Sequence, residues 1–194
     1  MIEKYYNGVI EQVAGGIGNV EHNSILVRYS NDFSIWDLES VNHYKDQTDI
    51  FFTCHEFSYN KIAEAYEPYL GLIRQMFHKY CSGTLEEFME ECDVYKLQRP
   101  VFESYFEKGF CERTEQILID EVEYEQERMR NSIVTMLQKL SEIRPVVIVL
   151  NRFQLASKST MQLSNSLLQV KNKNIGIVLG VNDVQSIPEF AHGE

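Results

Sequence analysis

The residues best suited to covalent chemistry are Cys54, His55 and Glu56, which directly follow a run rich in aromatic residues. A cysteine beside a histidine supplies the nucleophile and the base of many thiol enzymes. Successive residues of an extended chain point to opposite sides, however, so Cys54 and His55 would not contact each other in a strand. A buried structural thiol is therefore the favoured interpretation. A thiol or metal enzyme built on Cys54 and His55 with a distant partner remains a separate hypothesis.

Two further patterns are typical of metal or dinucleotide sites. His78 and Cys81 would share one face of a helix, yet Cys92 and Cys111 supply no obvious second pair of ligands, so we expect no zinc site. The glycine-rich segment 14–19 lacks the third glycine of the GxGxxG pattern and precedes a strand instead of following one. We expect it to be a connector.

The composition excludes several classes of protein. The chain has 194 residues, 44% hydrophobic and 24% charged, which suits one globular domain and argues against a disordered or fibrous chain. A net charge of -11 disfavours a general nucleic-acid binder. Because the sequence shows no secretory signal, no long apolar run and irregularly spaced cysteines, we expect a cytoplasmic protein with reduced thiols and no membrane partner.

Apolar runs predict four strands, at 25–27, 49–54, 146–150 and 175–181. The run from Val146 to Leu150 is uninterrupted and mostly β-branched, which is typical of a strand buried on both faces of a parallel sheet. Helical patterns separate these runs. The alternation predicts an α/β fold with helices on both faces of a mostly parallel sheet.

The helical patterns lie at 1–14, 32–44, 60–80, 84–92, 99–110, 115–143 and 156–170. Pro68 predicts a break or a new helix start, and Thr84 with Glu87 forms a capping-box pattern. The long pattern at 115–143 would suit either a partner-binding coiled coil or, as we favour, a helix packed on the domain's own sheet. Residues 84–143 together predict a helical insertion between the second and third strands.

This order of elements resembles a known family. Residues 144–183, with an apolar strand, a serine-capped helix and a second strand, are similar to the Walker B to sensor 1 region of AAA/STAND-type P-loop ATPases. Residues 49–77 resemble the second strand of that family and its Pro-Tyr-bearing helix, which places residues 25–41 at the phosphate loop and its helix. The resemblance covers most of residues 24–183. It implies a three-layer P-loop NTPase-like fold with strand order 1-4-3-2.

The residues that bind phosphate in that family are replaced here. Tyr29 and Ser34 stand at glycine positions and carry Cβ atoms that oppose the required backbone curl. Ile35 stands at the lysine position without a charge, and Trp36 replaces the hydroxyl residue that helps hold magnesium. Asp32 adds a negative charge to the same loop. We expect Trp36 to fill the space that a nucleotide would occupy.

The magnesium and sensor positions differ as well. Asn151 and Arg152 occupy the acidic positions of the Walker B strand, and a neutral amide neither balances Mg²⁺ nor orients water as a carboxylate does. Asn182 could match the polar sensor, although an amide at a strand end also explains it. The sequence thus predicts no catalytic residue, no cofactor and no metal.

The resemblance implies a single domain over residues 1–194, with its core at 24–183 and the helical insertion at 84–143. We expect the chain to be the N-terminal part of a longer protein. Its expected function is that of a non-catalytic pseudo-ATPase regulatory or interaction module in bacterial-type signalling or transcription regulation. A protein, or other domains of the same chain, would be its partner, with no nucleic acid bound. The alternative is a nucleotide-dependent switch with an atypical phosphate loop and slow or no hydrolysis.

Overall fold

The computed structural model describes residues 2–19, 23–30, 33–108, 122–170 and 172–183. Within these ranges the strands are β1 (Asn23–Tyr29), β2 (Phe51–Glu56), β3 (Val146–Asn151) and β4 (Ile175–Asn182). The helices are α1 (Ile2–Gly16), α2 (Glu39–Lys45), α3 (Tyr69–Tyr80), α4 (Leu85–Glu91), α5 (Arg99–Lys108), α6 (Val122–Ile143) and α7 (Lys158–Gln169). Short 3₁₀ turns occur at Ile35–Asp37 and Phe153–Leu155.

The four strands form one parallel sheet in the order β1-β4-β3-β2. The chain crosses from β1 at one edge to β2 at the other and returns through β3 to β4. This confirms the predicted α/β class and the strand order 1-4-3-2. Because the strands are parallel, all four carboxyl ends lie at the same edge of the sheet.

Helices cover both faces of the sheet, because alternate residues of β3 belong to different hydrophobic clusters. Val147 and Val149 pack with residues of α1 and α2. Val146, Ile148 and Leu150 pack with residues of α3 to α7. A strand apolar on both sides can only be buried in this way, which explains the uninterrupted run of β3.

The segment predicted to be helical at 32–44 is interrupted. The 3₁₀ turn ends at Asp37, Leu38 is extended (φ -75°, ψ 131°), and α2 begins at Glu39. Leu38 is buried in the cluster under α1, so its apolar side chain is satisfied by the core without a continuous helix. The helix predicted at 60–80 begins only at Tyr69, directly after Pro68, where a new start was predicted.

The helices between β2 and β3 all contribute to one hydrophobic cluster, on the face of the sheet opposite α1 and α2. Thr84 caps α4 as predicted: its hydroxyl accepts from the Glu87 N–H while the Glu87 carboxylate accepts from the Thr84 N–H. Helix α6 contacts α3 and α7 and buries Ile133, Met136 and Leu140, as the favoured interpretation of its pattern predicts. Residues 109–121, part of the predicted insertion, lie outside the described ranges. No helix in the described part of the chain is both long and apolar enough to cross a membrane.

Candidate functional site

Each strand ends in a polar residue at the carboxyl edge of the sheet: Tyr29, Glu56, Asn151 and Asn182. Tyr29 lies opposite Asn182 in the β1–β4 register, and Glu56 lies opposite Asn151 in the β2–β3 register. Open parallel sheets bind their ligands outside this edge, because the loops that follow the strands surround it. The carboxyl edge is therefore the candidate site.

A row of hydrogen bonds crosses three strands at this edge. The Tyr29 hydroxyl donates to Asn151 Oδ1 at 2.6 Å, and Asn151 Nδ2 donates to Glu56 Oε1 at 2.9 Å. Arg152 Nε lies 3.8 Å from the same Glu56 oxygen. We refer to Tyr29, Asn151, Glu56 and Arg152 as the polar row. Asn151 is fully buried, and these bonds occupy both its acceptor and its donor group.

Three aromatic rings pack beside the polar row. The ring centroids of Tyr6 and Phe33 are 5.3 Å apart, those of Tyr29 and Phe33 are 4.9 Å apart, and those of Tyr6 and Tyr29 are 6.2 Å apart. All three pairs have the edge-to-face geometry that aromatic quadrupoles favour. We call Tyr6, Tyr29 and Phe33 the aromatic cluster. It lies between α1 and the end of β1.

The hydroxyl of Tyr6 is buried and has no hydrogen-bond partner among the described residues. It lies against Gly180 of β4. A Cβ atom at position 180 would come within 2.6 Å of Asn151 Oδ1 and closer still to the Tyr6 hydroxyl. Glycine is therefore favoured at position 180, because a Cβ atom there would have to displace two polar atoms.

Both phenols of the aromatic cluster are protonated at neutral pH. Burial raises the pKa of Tyr29 to about 12, and the backbone and positive charge of Arg152 only partly offset that rise. Burial also raises the pKa of Tyr6, to which the nearby Tyr29 and Glu56 contribute. Tyr29 is therefore available as a hydrogen-bond donor to Asn151, and neither phenol can serve as a base near pH 7.

The described residues at the predicted phosphate-loop positions differ in burial and in their contacts. Ser34 caps the 3₁₀ turn by accepting from the Trp36 N–H at 3.3 Å, and Ile35 is fully buried in the core under α1. Trp36 is 44% exposed, with Lys45 Nζ 4.5 Å from its ring centroid. The prediction that Trp36 fills a nucleotide's space is thus wrong. Within one tight turn Ile35 faces the core and Trp36 faces solvent. Asp32 lies outside the described residues.

Asn182 lies at the end of β4 and contributes through its backbone. Its N–H donates to Gln154 Oε1 at 3.2 Å, and its carbonyl accepts from Gln154 Nε2 at 3.4 Å. Gln154 belongs to the 3₁₀ turn that follows β3. This pair of bonds connects the ends of β3 and β4.

The Cys54 and His55 side chains lie on opposite faces of β2. Cys54 packs against the cluster under α1 and α2, whereas the His55 ring lies 4.5 Å from the ring of Phe57 in the other cluster. Burial raises the pKa of Cys54 to about 11 and lowers the pKa of His55. At neutral pH the pair is a thiol and a neutral imidazole on separate faces, which supports the structural role.

The other two patterns are the His78–Cys81 pair and the glycine-rich segment 14–19. No group of three or more potential metal-ligating side chains occurs in the described ranges, and Cys111 lies outside them. The glycine-rich segment ends α1 at Gly16 and continues as a turn, in which Gly18 has a φ of 83°. Such a φ suits glycine at a helix end.

Two residues of this edge escaped the sequence analysis as site residues. Glu56 was noted only beside Cys54 and His55. The signal that could have identified Glu56 is its position at the end of a parallel strand, where it joins the polar row. Tyr6 gave no such signal, because its pattern indicates only the apolar face of a helix. Its approach to Gly180 depends on how α1 packs on the sheet.

Comparisons with protein-family models, with curated proteins and with solved structures found no match to this chain.

Proposed function

We propose that this chain is a non-catalytic, pseudo-ATPase regulatory or interaction module of the kind used in bacterial-type signalling or transcription regulation. One observation carries the proposal. Asn151 stands where the ATPases that the sequence resembles carry a carboxylate, and its two polar groups are held by Tyr29 and Glu56. A buried amide with both groups engaged offers neither a ligand to Mg²⁺ nor a base to water.

The charge of the polar row supports the same proposal. Magnesium is bound by carboxylate, phosphate and water oxygens. In the polar row the one carboxylate, Glu56, accepts from Asn151 and lies beside the guanidinium of Arg152. Placing a divalent cation there would break the amide hydrogen bond and bring the ion close to a positive charge.

The surroundings of the phosphate-loop positions also support the proposal of a non-catalytic module. Ile35, at the lysine position, is buried among apolar side chains and supplies no charge at the carboxyl edge. The aromatic cluster occupies the space beside the end of β1. A triphosphate would have to displace packed rings to approach the sheet end as it does in working P-loop enzymes.

Isothermal titration of the chain with Mg-ATP tests the proposal, and the expected result is no detectable heat. A thermal-unfolding screen with Mg-ATP and Mg-GTP provides a second measurement. A ligand at a hundred times its Kd would stabilise the fold by about 2.7 kcal/mol, a clear shift of the unfolding temperature.

Micromolar binding of either nucleotide would contradict the proposal and favour the alternative, a nucleotide-dependent switch with slow or no hydrolysis. The Arg152→Gln variant then shows whether such binding occurs at the carboxyl edge. Lys139→Gln is its matched control, because Lys139 is exposed near the end of α6, which leads into the amino end of β3. Binding at the edge would be weakened by the first substitution and not by the second.

A further inference from the structure

The outer side of β2 is an open edge of the described sheet. The N–H groups of Phe51 and Phe57 donate towards β3, to Pro145 O and Asn151 O. Backbone groups alternate along a strand, so those of Phe52 and Cys54 point away from the sheet. No described strand pairs with them, and every residue of β2 is only half-buried.

A cleft of about 470 Å³ lies beside the first residues of β2. Its lining includes three basic residues and three aromatic ones: Lys45, His78, Lys79, Phe51, Phe52 and Tyr80. No carboxylate is among its described lining residues, although the chain carries a net charge of -11. Asp46 and Asp49, in the connector before β2, are exposed and do not belong to the lining. We call this the β2-edge cleft.

The β2-edge cleft presents a lysine and an aromatic ring on each face of the sheet. On the face covered by α3, the Phe51 ring lies 6.0 Å from that of Tyr80, and Lys79 Nζ is 5.7 Å from the Phe51 centroid. On the opposite face, the Phe52 ring stacks 5.8 Å from that of Tyr44, next to Lys45 at the end of α2.

A further cation, Arg144, contacts Tyr80 of the cleft lining. The guanidinium carbon of Arg144 lies 5.4 Å from the Tyr80 ring centroid. Its Nε is buried and has no hydrogen-bond partner among the described residues. The positive charge around the cleft therefore comes from three separate places: the end of α2, the end of α3 and the residue that directly follows α6.

We propose that the outer edge of β2 docks an extended acidic segment of a partner protein, which adds to the sheet as a further strand. The outward N–H and C=O groups of Phe52 and Cys54 would pair with the backbone of that segment. Its side chains alternate between the two faces, so an acidic residue can meet Lys79 on one face and its neighbour can meet Lys45 on the other. Apolar side chains of the segment would pack on Phe51 and Phe52.

This inference names a partner for the interaction module and so rests on the proposed function. Its test uses no nucleotide, so the two proposals fail separately. The competing explanation is that lysines beside an open edge only prevent strands of other copies from pairing there. That explanation predicts no preference for an acidic segment.

The experiment measures fluorescence anisotropy with three labelled peptides: pairs of glutamates alternating with pairs of valines, pairs of lysines alternating with pairs of valines, and pairs of glutamates alternating with pairs of prolines. Because each charged pair consists of neighbouring residues, its two side chains reach both faces of the sheet. The first should bind, and the second should not, because its charge is reversed. The third keeps the carboxylates but lacks the backbone N–H of two consecutive residues in every four. Since N–H groups alternate in direction along a strand, one missing N–H of each pair would face β2, so the third peptide should bind at least several-fold more weakly. Binding of the first peptide should weaken with added salt.

The Lys45→Glu/Lys79→Glu variant should bind the glutamate–valine peptide about tenfold more weakly or worse, because two attractions become repulsions. Lys4→Glu/Lys158→Glu is the matched control, since both lysines are exposed and neither lines the cleft. It carries the same change in net charge and should keep most of the affinity. Circular dichroism establishes that both variants are folded.

Three outcomes would overturn the proposal. Equal affinity for the glutamate–valine and glutamate–proline peptides would mean a simple anion site without strand addition. Equal loss in the two double variants would mean that only the net charge matters. Absence of binding together with self-association of a Lys45→Ala/Lys79→Ala variant, detected by sedimentation, would assign the lysines to keeping copies apart, because only removal of the charge abolishes the repulsion between copies.

Discussion

At the level of single residues, Asn151 connects three strands. Its backbone belongs to β3, its side-chain oxygen accepts from Tyr29 of β1, and its side-chain nitrogen donates to Glu56 of β2. An ionised aspartate could accept from Tyr29 but could not donate to Glu56. The geometry of the polar row therefore calls for an amide at position 151, independently of any ancestral role of the position.

Replacing this amide tests the polar row directly. Asn151→Asp removes the donor to Glu56 and brings a buried carboxylate beside another, so it should lower the free energy of unfolding by about 2–4 kcal/mol in mildly alkaline buffer. Burial and Glu56 would both raise the pKa of the introduced acid. The native state would then bind its proton more tightly than the unfolded state, so the loss should shrink as the pH falls.

Urea unfolding in mildly alkaline and mildly acidic buffer, each relative to wild type, measures this effect. Asn131→Asp serves as the control, because Asn131 is exposed on α6 and should show a change near zero. A loss for Asn151→Asp that grows on acidification would be incompatible with the hydrogen bonds described.

The contact between Tyr6 and Gly180 makes a second prediction. Tyr6→Phe should raise the free energy of unfolding by about 1 kcal/mol, because it removes a buried hydroxyl without a partner. Gly180→Ala should lower it by about 1–3 kcal/mol through overpacking. Gly180→Ala should lower the free energy of unfolding less in the Tyr6→Phe background than in the wild-type chain, because one of the two obstructing atoms is then gone.

Gly8→Ala is the control for the glycine substitution. Gly8 lies in α1 with open space around its Cα, so alanine there should stabilise the chain by about 0.5–1 kcal/mol. Strictly additive effects of Tyr6→Phe and Gly180→Ala would show that the hydroxyl does not limit the space at position 180.

At the level of elements, the sequence predicted best what local chemistry determines. The apolar run of β3, the new start after Pro68 and the cap at Thr84 are each encoded within a few neighbouring residues. The predictions failed where tertiary contacts override local pattern. Leu38 has helical spacing but is extended, because the core under α1 accepts its side chain in that conformation.

The same distinction applies to the candidate site. Tyr29, Asn151 and Asn182 could be placed at the carboxyl edge from the sequence, because each ends an apolar run of a parallel sheet. The exposure of Trp36 could not be predicted, since it depends on which residue of a short turn faces the core. Whether these positions descend from a phosphate-binding loop stays a prediction.

The cap of α4 makes a prediction at this scale. Thr84→Ala removes the acceptor for the Glu87 N–H and should lower the free energy of unfolding by about 1 kcal/mol. The loss should appear in global urea unfolding, because Phe88 and Met89 of α4 are part of the large core. Thr84→Ser keeps the hydroxyl and should retain most of the stability. Equal losses in the two variants would exclude the cap as the cause.

At the level of the whole molecule, the two proposals concern different sides of one sheet. The carboxyl edge is filled by the polar row and the aromatic cluster. The outer side of β2, by contrast, exposes backbone groups beside basic side chains. A filled carboxyl edge and an open outer side of β2 agree with the proposed interaction module, which binds a partner without converting a substrate.

The position of β1 also affects how the chain is made. Among the described strands β1 pairs only with β4, which is the last of them in the sequence. At ribosomal rates of about 5–20 residues per second, β1 must wait roughly 8–30 seconds for its neighbour to be synthesised. During that interval the backbone N–H and C=O groups of β1 lack the strand with which they later pair. We therefore expect the nascent chain to depend on chaperones until translation has passed β4.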